Sequence, residues 1–281
     1  MFKPELGMSL GCYGIEWLAD KRYRITFKEE ELLQKTKEMA EVGIDGAELV
    51  TLGPWNREEE IENYPLVRRA VEIVKDRGLK LNTIHLPFSC LYWEFTSLDE
   101  EYRKASVESV KWAVSHYENN MPACFVIHPD KKPNSIEERP ARLEQLKKSM
   151  YEICEFVPAN VCVENMTNDG MLNVSSEALE LLQAVPKLNM VIDVNHPLFE
   201  SPVHYIEQIG SRIKNVHISD RDEVKERHYM PGEGILPWQE IIGALDKVGY
   251  NGVFNFEVNS NYSPKEVKDC YDKLFKEYNK D

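Results

Sequence analysis

The sequence predicts an α/β fold, a single-domain (β/α)8 TIM barrel running through residues 1–281. Three observations predict it. Eight short apolar runs recur along the chain, an amphipathic segment follows each, and 281 residues is the length of one such barrel. Strands alternating with helices imply parallel strands joined by right-handed crossovers. An open, doubly wound sheet is the competing fold. It usually has fewer strands and a glycine-rich phosphate loop after the first, and no such loop follows the first run here.

The apolar runs are 6–12, 44–50, 79–86, 123–128, 161–166, 189–194, 213–219 and 252–258. Most are β-branched or aromatic, with Gly, Pro or Asn close by, which are strand signals. The helical segments are 28–42, 64–77, 99–118, 136–156, 176–184, 202–211, 238–248 and 264–278. In the first of them Leu32, Leu33, Thr36, Met39 and Ala40 share one face at helical spacing. Several segments end in glycine, as in Val42-Gly43, Arg77-Gly78 and Val248-Gly249, the usual left-handed cap.

Composition narrows the function. The chain has 34 Lys+Arg against 48 Asp+Glu, a net charge of −14, and 42% hydrophobic residues, an ordinary globular balance. No basic run exceeds two residues, as in Lys131-Lys132, which argues against a nucleic-acid partner. No stretch reaches the roughly 20 apolar residues of a membrane helix. Cys12, Cys90, Cys124, Cys154, Cys162 and Cys270 form no C-x-x-C pair and read as reduced thiols of a cytoplasmic protein.

In such a barrel the carboxyl ends of the strands build the functional site. Seven of the eight runs put an acid or imidazole there: Glu48, His85, His128, Glu164, Asp193, His217 and Glu257. Buried acids and imidazoles are costly unless paired, hydrogen-bonded or bound to metal. Four acids converging on one centre would repel, and a divalent cation is the simplest resolution. Glu164, Asp193, His217 and Glu257 are the expected ligands. Three carboxylates and an imidazole suit Mn²⁺, Mg²⁺, Co²⁺ or Zn²⁺.

Other residues carry two readings each. His85 and His128 precede Leu-Pro and Pro, and read as loop histidines or as part of the site. Glu48 either bonds substrate or pairs with a basic neighbour. His196 follows Asp193 as Asp-x-x-His. His228 lies in a loop before Pro231-Gly-Glu-Gly234, a weak phosphate-loop signal, and is either a solvent histidine or a site residue. Trp55, Trp93 and Trp238 either wall the pocket or pack. His116 and His204, on helical segments, read as surface residues.

The most specific pieces are His85-Leu-Pro-Phe with the later run Ser97-Leu-Asp-Glu-Glu-Tyr-Arg-Lys-Ala, then Val163-Glu164-Asn165 and Ile192-Asp193-x-x-His196. His217-Ile-Ser-Asp220, His228-x-x-Pro-Gly-Glu-Gly234 and Phe256-Glu257 complete the set. By these motifs the chain resembles, over nearly its whole length, the sugar-phosphate isomerase/epimerase-like superfamily of xylose isomerase-like barrels, which also contains endonuclease IV. The resemblance to ketose 3-epimerases implies one divalent metal on Glu164, Asp193, His217 and Glu257. It implies that the two glutamates act as acid and base, and that His196 contacts substrate oxygens. Two positions depart from that pattern: Gly170 stands where those epimerases carry Glu, and Glu223, with Arg221 nearby, where they carry Arg. The resemblance to endonuclease IV implies a trinuclear zinc site. Its ligand positions match His85, His128, Glu164, Asp193, His196, His217, His228 and Glu257, with Glu226 in place of its Asp.

The leading expectation is a metal-dependent isomerase or epimerase of a small sugar, sugar phosphate or polyol, acting through an enediolate. Glu164 and Glu257 would exchange the proton, and His85, His128, His196, His228 and Glu48 would line the substrate. A multi-zinc phosphodiesterase, a dehydratase of the inosose or dehydroshikimate type, and a non-enzymatic binding barrel are the competing readings. A homodimer is compatible with a barrel, since barrels commonly pair, but the sequence does not read out the oligomeric state.

Overall fold

In the computed structural model the described residues are 1–11, 13–17, 23–51, 57–88, 93–117, 120–129, 135–167, 170–196 and 199–280. The first strand, β1 (Glu5–Gly11), leads into a hairpin of β2 (Tyr13–Trp17) and β3 (Tyr23–Phe27), and then α1 (Glu29–Val42). Strand and helix alternate from there: β4 (Gly46–Val50), α2 (Arg57–Asp76), β5 (Lys80–His85), α3 (Glu100–Ser115), β6 (Cys124–Ile127) and α4 (Arg139–Phe156). The second half holds β7 (Asn160–Glu164), α5 (Ser175–Ala184), β8 (Asn189–Asp193), α6 (Pro202–Ile209), β9 (Ile213–Ile218), α7 (Trp238–Lys247), β10 (Val253–Phe256) and α8 (Pro264–Tyr278).

Eight strands close a barrel in the order β1-β10-β9-β8-β7-β6-β5-β4, and every pairing is parallel. The expected fold class is the one observed. The antiparallel β2–β3 pair is an addition that the eightfold repeat does not announce. It leaves the carboxyl end of β1, on the mouth side.

Local chemistry explains several boundaries. Gly43, Gly78 and Gly249 take φ of 79°, 74° and 70°, the left-handed turn that stops a helix without a Cβ clash. Asp99 caps α3 by accepting from Glu101 N and Tyr102 N. Ser263 and Glu266 form a reciprocal capping box at α8, with Pro264 in the first turn.

Outside the strands, apolar helix faces make one continuous core. Inside the barrel, Cys124, Val126, Cys162 and Val191 form a smaller apolar cluster. Beside it lies a polar layer of Ser9, Glu48, Thr83, Asn215 and Asn255. Asn82 fits near this layer because Gly46 has no side chain. A Cβ there would fall 2.5 Å from Asn82 Nδ2 and 2.6 Å from Lys80 O. Among the described residues, no helix is long and apolar enough to cross a membrane.

Candidate active site

Four adjacent strands, β7 to β10, deliver the principal acids and imidazole. Glu164 and Asp193 end β7 and β8, His217 lies near the end of β9, and Glu257 follows β10. One ligand atom from each lies within 4.8 Å of the others. His217 Nδ1 is 3.3 Å from Glu164 Oε1 and 2.9 Å from Glu257 Oε2. Glu164 and Asp193 are each 1% exposed, His217 is fully buried and Glu257 is partly open to the mouth. Glu164 Oε2, Asp193 Oδ2 and Glu257 Oε2 are buried and meet no donor other than imidazole nitrogens, those of His128, His196 and His217 at 3.1, 3.2 and 2.9 Å among them. Unsatisfied carboxylate oxygens in a buried site are expensive. Three carboxylates and the His217 imidazole, each with one ligand atom within 4.8 Å of the others, form a mostly hard-donor set that fits a divalent cation.

A second group adjoins the first through Glu164. His85 Nε2 and His128 Nε2 lie 3.3 and 3.1 Å from Glu164 Oε2. His85 Nδ1 donates to Leu86 O at 2.8 Å, which directs its Nε2 lone pair inward. Phe88, from the His-Leu-Pro-Phe segment, packs edge-on against His85 and over His128 at 5.4 and 5.1 Å between centroids.

A third group borders the mouth. His196 Nδ1 donates to Asn165 O at 2.6 Å, and its Nε2 faces Asp193 Oδ2 at 3.2 Å and Glu226 Oε2 at 3.6 Å. His228 Nδ1 donates to Glu257 O at 2.7 Å, and its Nε2 pairs with Glu226 Oε1 at 2.5 Å. His228 holds φ at 51°, uncommon for a residue with a Cβ.

Charge balance follows from this crowding. Burial would raise Glu164, but His217 and His128 hold its carboxyl well below the ordinary range. Burial pushes Asp193 up to about 6, aided by repulsion from Glu257 and Glu164 and opposed by His196. Burial would lower His217, but Glu48, Glu257 and Glu164 lift it well above an ordinary imidazole. Burial is likewise overcome at His228, which Glu226 helps raise to about 10. The acids demand positive charge at the mouth, and either imidazole protons or a metal ion supplies it.

Several expected placements differ in detail. Glu48 is not at the rim: it lies within β4, fully buried, beneath His217. Its basic partner is the His217 imidazole. A register shift between Ala47 and Glu48 against β5 sets that depth, and no local pattern reveals it. His116 is half-buried and packs edge-on against Trp112 at 4.6 Å, whereas His204 is exposed. Trp93 is 2% exposed and belongs to the core, so it packs rather than lining open space. Trp55 lies outside the described residues.

Trp238 has a different task. Its Nε1 donates to Asp220 Oδ2 at 2.8 Å, as Gly232 N does at 2.9 Å, while Oδ1 accepts from Arg221 N at 2.9 Å and Leu236 N at 3.1 Å. Asp220 also pairs through its backbone with Tyr229. One buried carboxylate thus ties the loop that carries Glu226 and His228. A Cβ at Gly234 would press on the Arg221 carbonyl and the Asp220 carboxylate, so the Pro-Gly-Glu-Gly segment closes this knot. Asp220, Asn165 and Phe88 all sit inside motifs quoted above. The sequence shows their presence there but not their partners.

A parallel eightfold barrel whose acids and imidazoles gather at the carboxyl ends of its strands has its functional site where barrel enzymes carry theirs. The chain belongs to the xylose isomerase-like TIM barrel family, which it matches over residues 36–274. An uncharacterised protein of Methanocaldococcus jannaschii is 27% identical over 260 residues, covering 86% of this chain and 85% of that protein. The fructoselysine 3-epimerase of Shigella flexneri is 26% identical over 179 residues, 58% of this chain and 62% of that enzyme. Among solved structures, the D-psicose 3-epimerase of Clostridium cellulolyticum H10 with D-tagatose matches with a TM-score of 0.71 at 15% identity, covering 97% of this chain and 98% of that one. The 3-keto-D-glucoside 4-epimerase of E. coli gives 0.69 at 15% identity, covering 98% and 100%. At such identities the structural likeness is one of fold.

Proposed function

We propose that this protein is a metal-dependent epimerase or isomerase of a small carbohydrate. One observation carries the reading: the ligand atoms of Glu164, Asp193, His217 and Glu257 lie within 4.8 Å of one another, and three of their buried carboxylate oxygens face no donor but imidazole nitrogens. The curated relatives that act on known substrates are sugar epimerases, which agrees with it.

Glu164, Asp193, His217 and Glu257 would hold one divalent ion, with Mn²⁺, Co²⁺, Mg²⁺ and Zn²⁺ as the candidates. Such an ion would supply the Lewis acidity that makes a C–H beside a ketose carbonyl acidic enough for a carboxylate to remove. Glu164 and Glu257 stand on the outer strands of the four, with Asp193 and His217 between. A sugar lying across that span would present one face to each glutamate. One carboxylate would remove the proton while the other, entering as the carboxylic acid, would deliver its own proton to the opposite face, which inverts the carbon; solvent exchange resets the pair. His196, His228 and Glu226 would meet the substrate hydroxyls, and His85, His128 and Phe88 would close the far side.

A second reading rests on His85, His128 and Glu164, which also form a group able to hold an ion. More than one zinc would favour a phosphodiesterase.

The test uses purified protein loaded with Mn²⁺ or Co²⁺ and a panel of ketopentoses and ketohexoses in D₂O. Deuterium is expected to enter a carbon next to the carbonyl, with the epimer appearing by NMR and a chelator stopping both. Glu257→Gln is expected to lower kcat by roughly 10²–10⁴-fold with an unchanged circular dichroism spectrum. Cleavage of a phosphodiester, with no deuterium entering any sugar, would overturn the proposal.

A further inference from the structure

Glu48 has an environment that its neighbours in the mouth lack. Its Oε1 accepts from Ser9 Oγ at 2.7 Å and Asn255 Nδ2 at 3.3 Å. Its Oε2 accepts from Thr83 Oγ1 at 2.5 Å, His217 Nε2 at 3.0 Å and Asn215 Nδ2 at 3.4 Å. These donors come from β1, β5, β9 and β10, and Ser9 and Thr83 are the register partners of Glu48 on either side. No Lys or Arg is among them. A carboxylate buried among hydroxyl and amide donors, with one imidazole and no Lys or Arg beside it, carries a desolvation cost that an apolar or amide residue avoids.

His217 gives the charge a purpose. His85, His196 and His228 each donate Nδ1–H to a backbone carbonyl and turn Nε2 inward. His217 is reversed: Nδ1 faces Glu164 and Glu257, and Nε2 points down to Glu48. The reversal has a local cause. His217 lies within β9, where the next carbonyl, Ile218 O, already accepts Glu257 N, unlike the Leu86 carbonyl that serves His85. A side chain must supply the acceptor instead.

We propose that Glu48 is a positioning residue for His217. Its carboxylate accepts a hydrogen bond from Nε2–H, leaves Nδ1 as the ligating nitrogen, and is itself fixed by four further donors. The inference rests on the metal reading of the site. A carboxylate behind a ligating imidazole orients the ring and raises its basicity, and losing such a partner typically weakens metal binding by about 10–100-fold.

Zinc-loaded protein with ¹⁵N-labelled histidine provides the test. In the wild type the His217 spectrum should show zinc on Nδ1 and a slowly exchanging proton on Nε2. Zinc on Nε2 would overturn the proposal with no variant needed. Zinc affinity is then measured by competition with a chromophoric chelator for Glu48→Gln, His217→Gln and the double variant. Glu48→Gln should weaken binding by about 10–100-fold alone, yet add less than about twofold once His217 is Gln. Equal losses in both backgrounds would mean that Glu48 acts on the barrel and not through His217, and overturn the proposal. Should Glu48→Gln not fold, Glu48→Asp keeps the charge but withdraws it from Nε2, and a loss of affinity in the same direction is expected; wild-type affinity would overturn the proposal. Wild-type protein that takes up no zinc overturns the metal reading itself, and this inference with it.

Discussion

The Nε2 atoms of His85 and His128 face each other across 3.2 Å, and both lie within 3.3 Å of Glu164 Oε2. Burial opposes protonation of both, but Glu164, Glu48 and Glu257 leave His85 raised, whereas His128 ends lowered.

That pairing gives a prediction about stoichiometry. After dialysis the protein is expected to keep one tightly held ion per chain, and the His85→Ala/His128→Ala double variant is expected to keep it too. Elemental analysis reads both. Two or more ions in the wild type, reduced in the double variant, would favour the phosphodiesterase reading.

Metal affinity should rise with pH. Asp193, pushed up to about 6 by burial, and His217, lifted well above an ordinary imidazole, must both shed protons to become ligands. Binding should therefore strengthen from about pH 5 to pH 8 and release about one proton or more per ion. Titration calorimetry in buffers of different ionisation enthalpy measures the release. A pH-independent affinity without proton release would contradict this account.

Acid should unfold the metal-free protein partly through Glu48. Burial would raise its carboxyl, but His217 and its other partners hold it at about 2, against an ordinary 4.5. A depressed acid stabilises the fold above its unfolded value, and that stability is lost as pH falls from about 4.5 through 2. His217 acts in the opposite window: its raised value stabilises below its unfolded value and is lost as pH rises through the folded one. The Tm of the wild type is expected to fall more steeply between pH 5 and 3 than that of Glu48→Gln, as thermal scans would show.

The loop knotted on Asp220 should be fragile at that one point. Asp220→Ala strands three backbone N–H groups and the Trp238 indole N–H in a buried setting, so a loss of about 2–4 kcal/mol is expected in urea denaturation. Gly234→Ala, which crowds the same carboxylate, should act in the same direction. Hydrogen exchange should quicken over residues 221–237 in both variants. Unchanged exchange there would show that the loop is held by other means.

The sequence by itself determined the barrel and the identity of the residues at its mouth. Eight apolar runs with helices between them leave little choice of topology, and an acid or imidazole at the end of a run falls on the functional rim because parallel strands share one direction. Tertiary structure alone decided the depth of Glu48, the turning of His217 against the sense of three other histidines, and the task of Asp220. Each depends on strand register or on a partner far along the chain: Glu48 meets His217 169 positions away. The β2–β3 hairpin also escaped the repeat, since its short strands fall between the strand and the helix of the first unit. Local patterning fixes which face a residue takes, but which long-range neighbour it meets there is set only when the barrel closes.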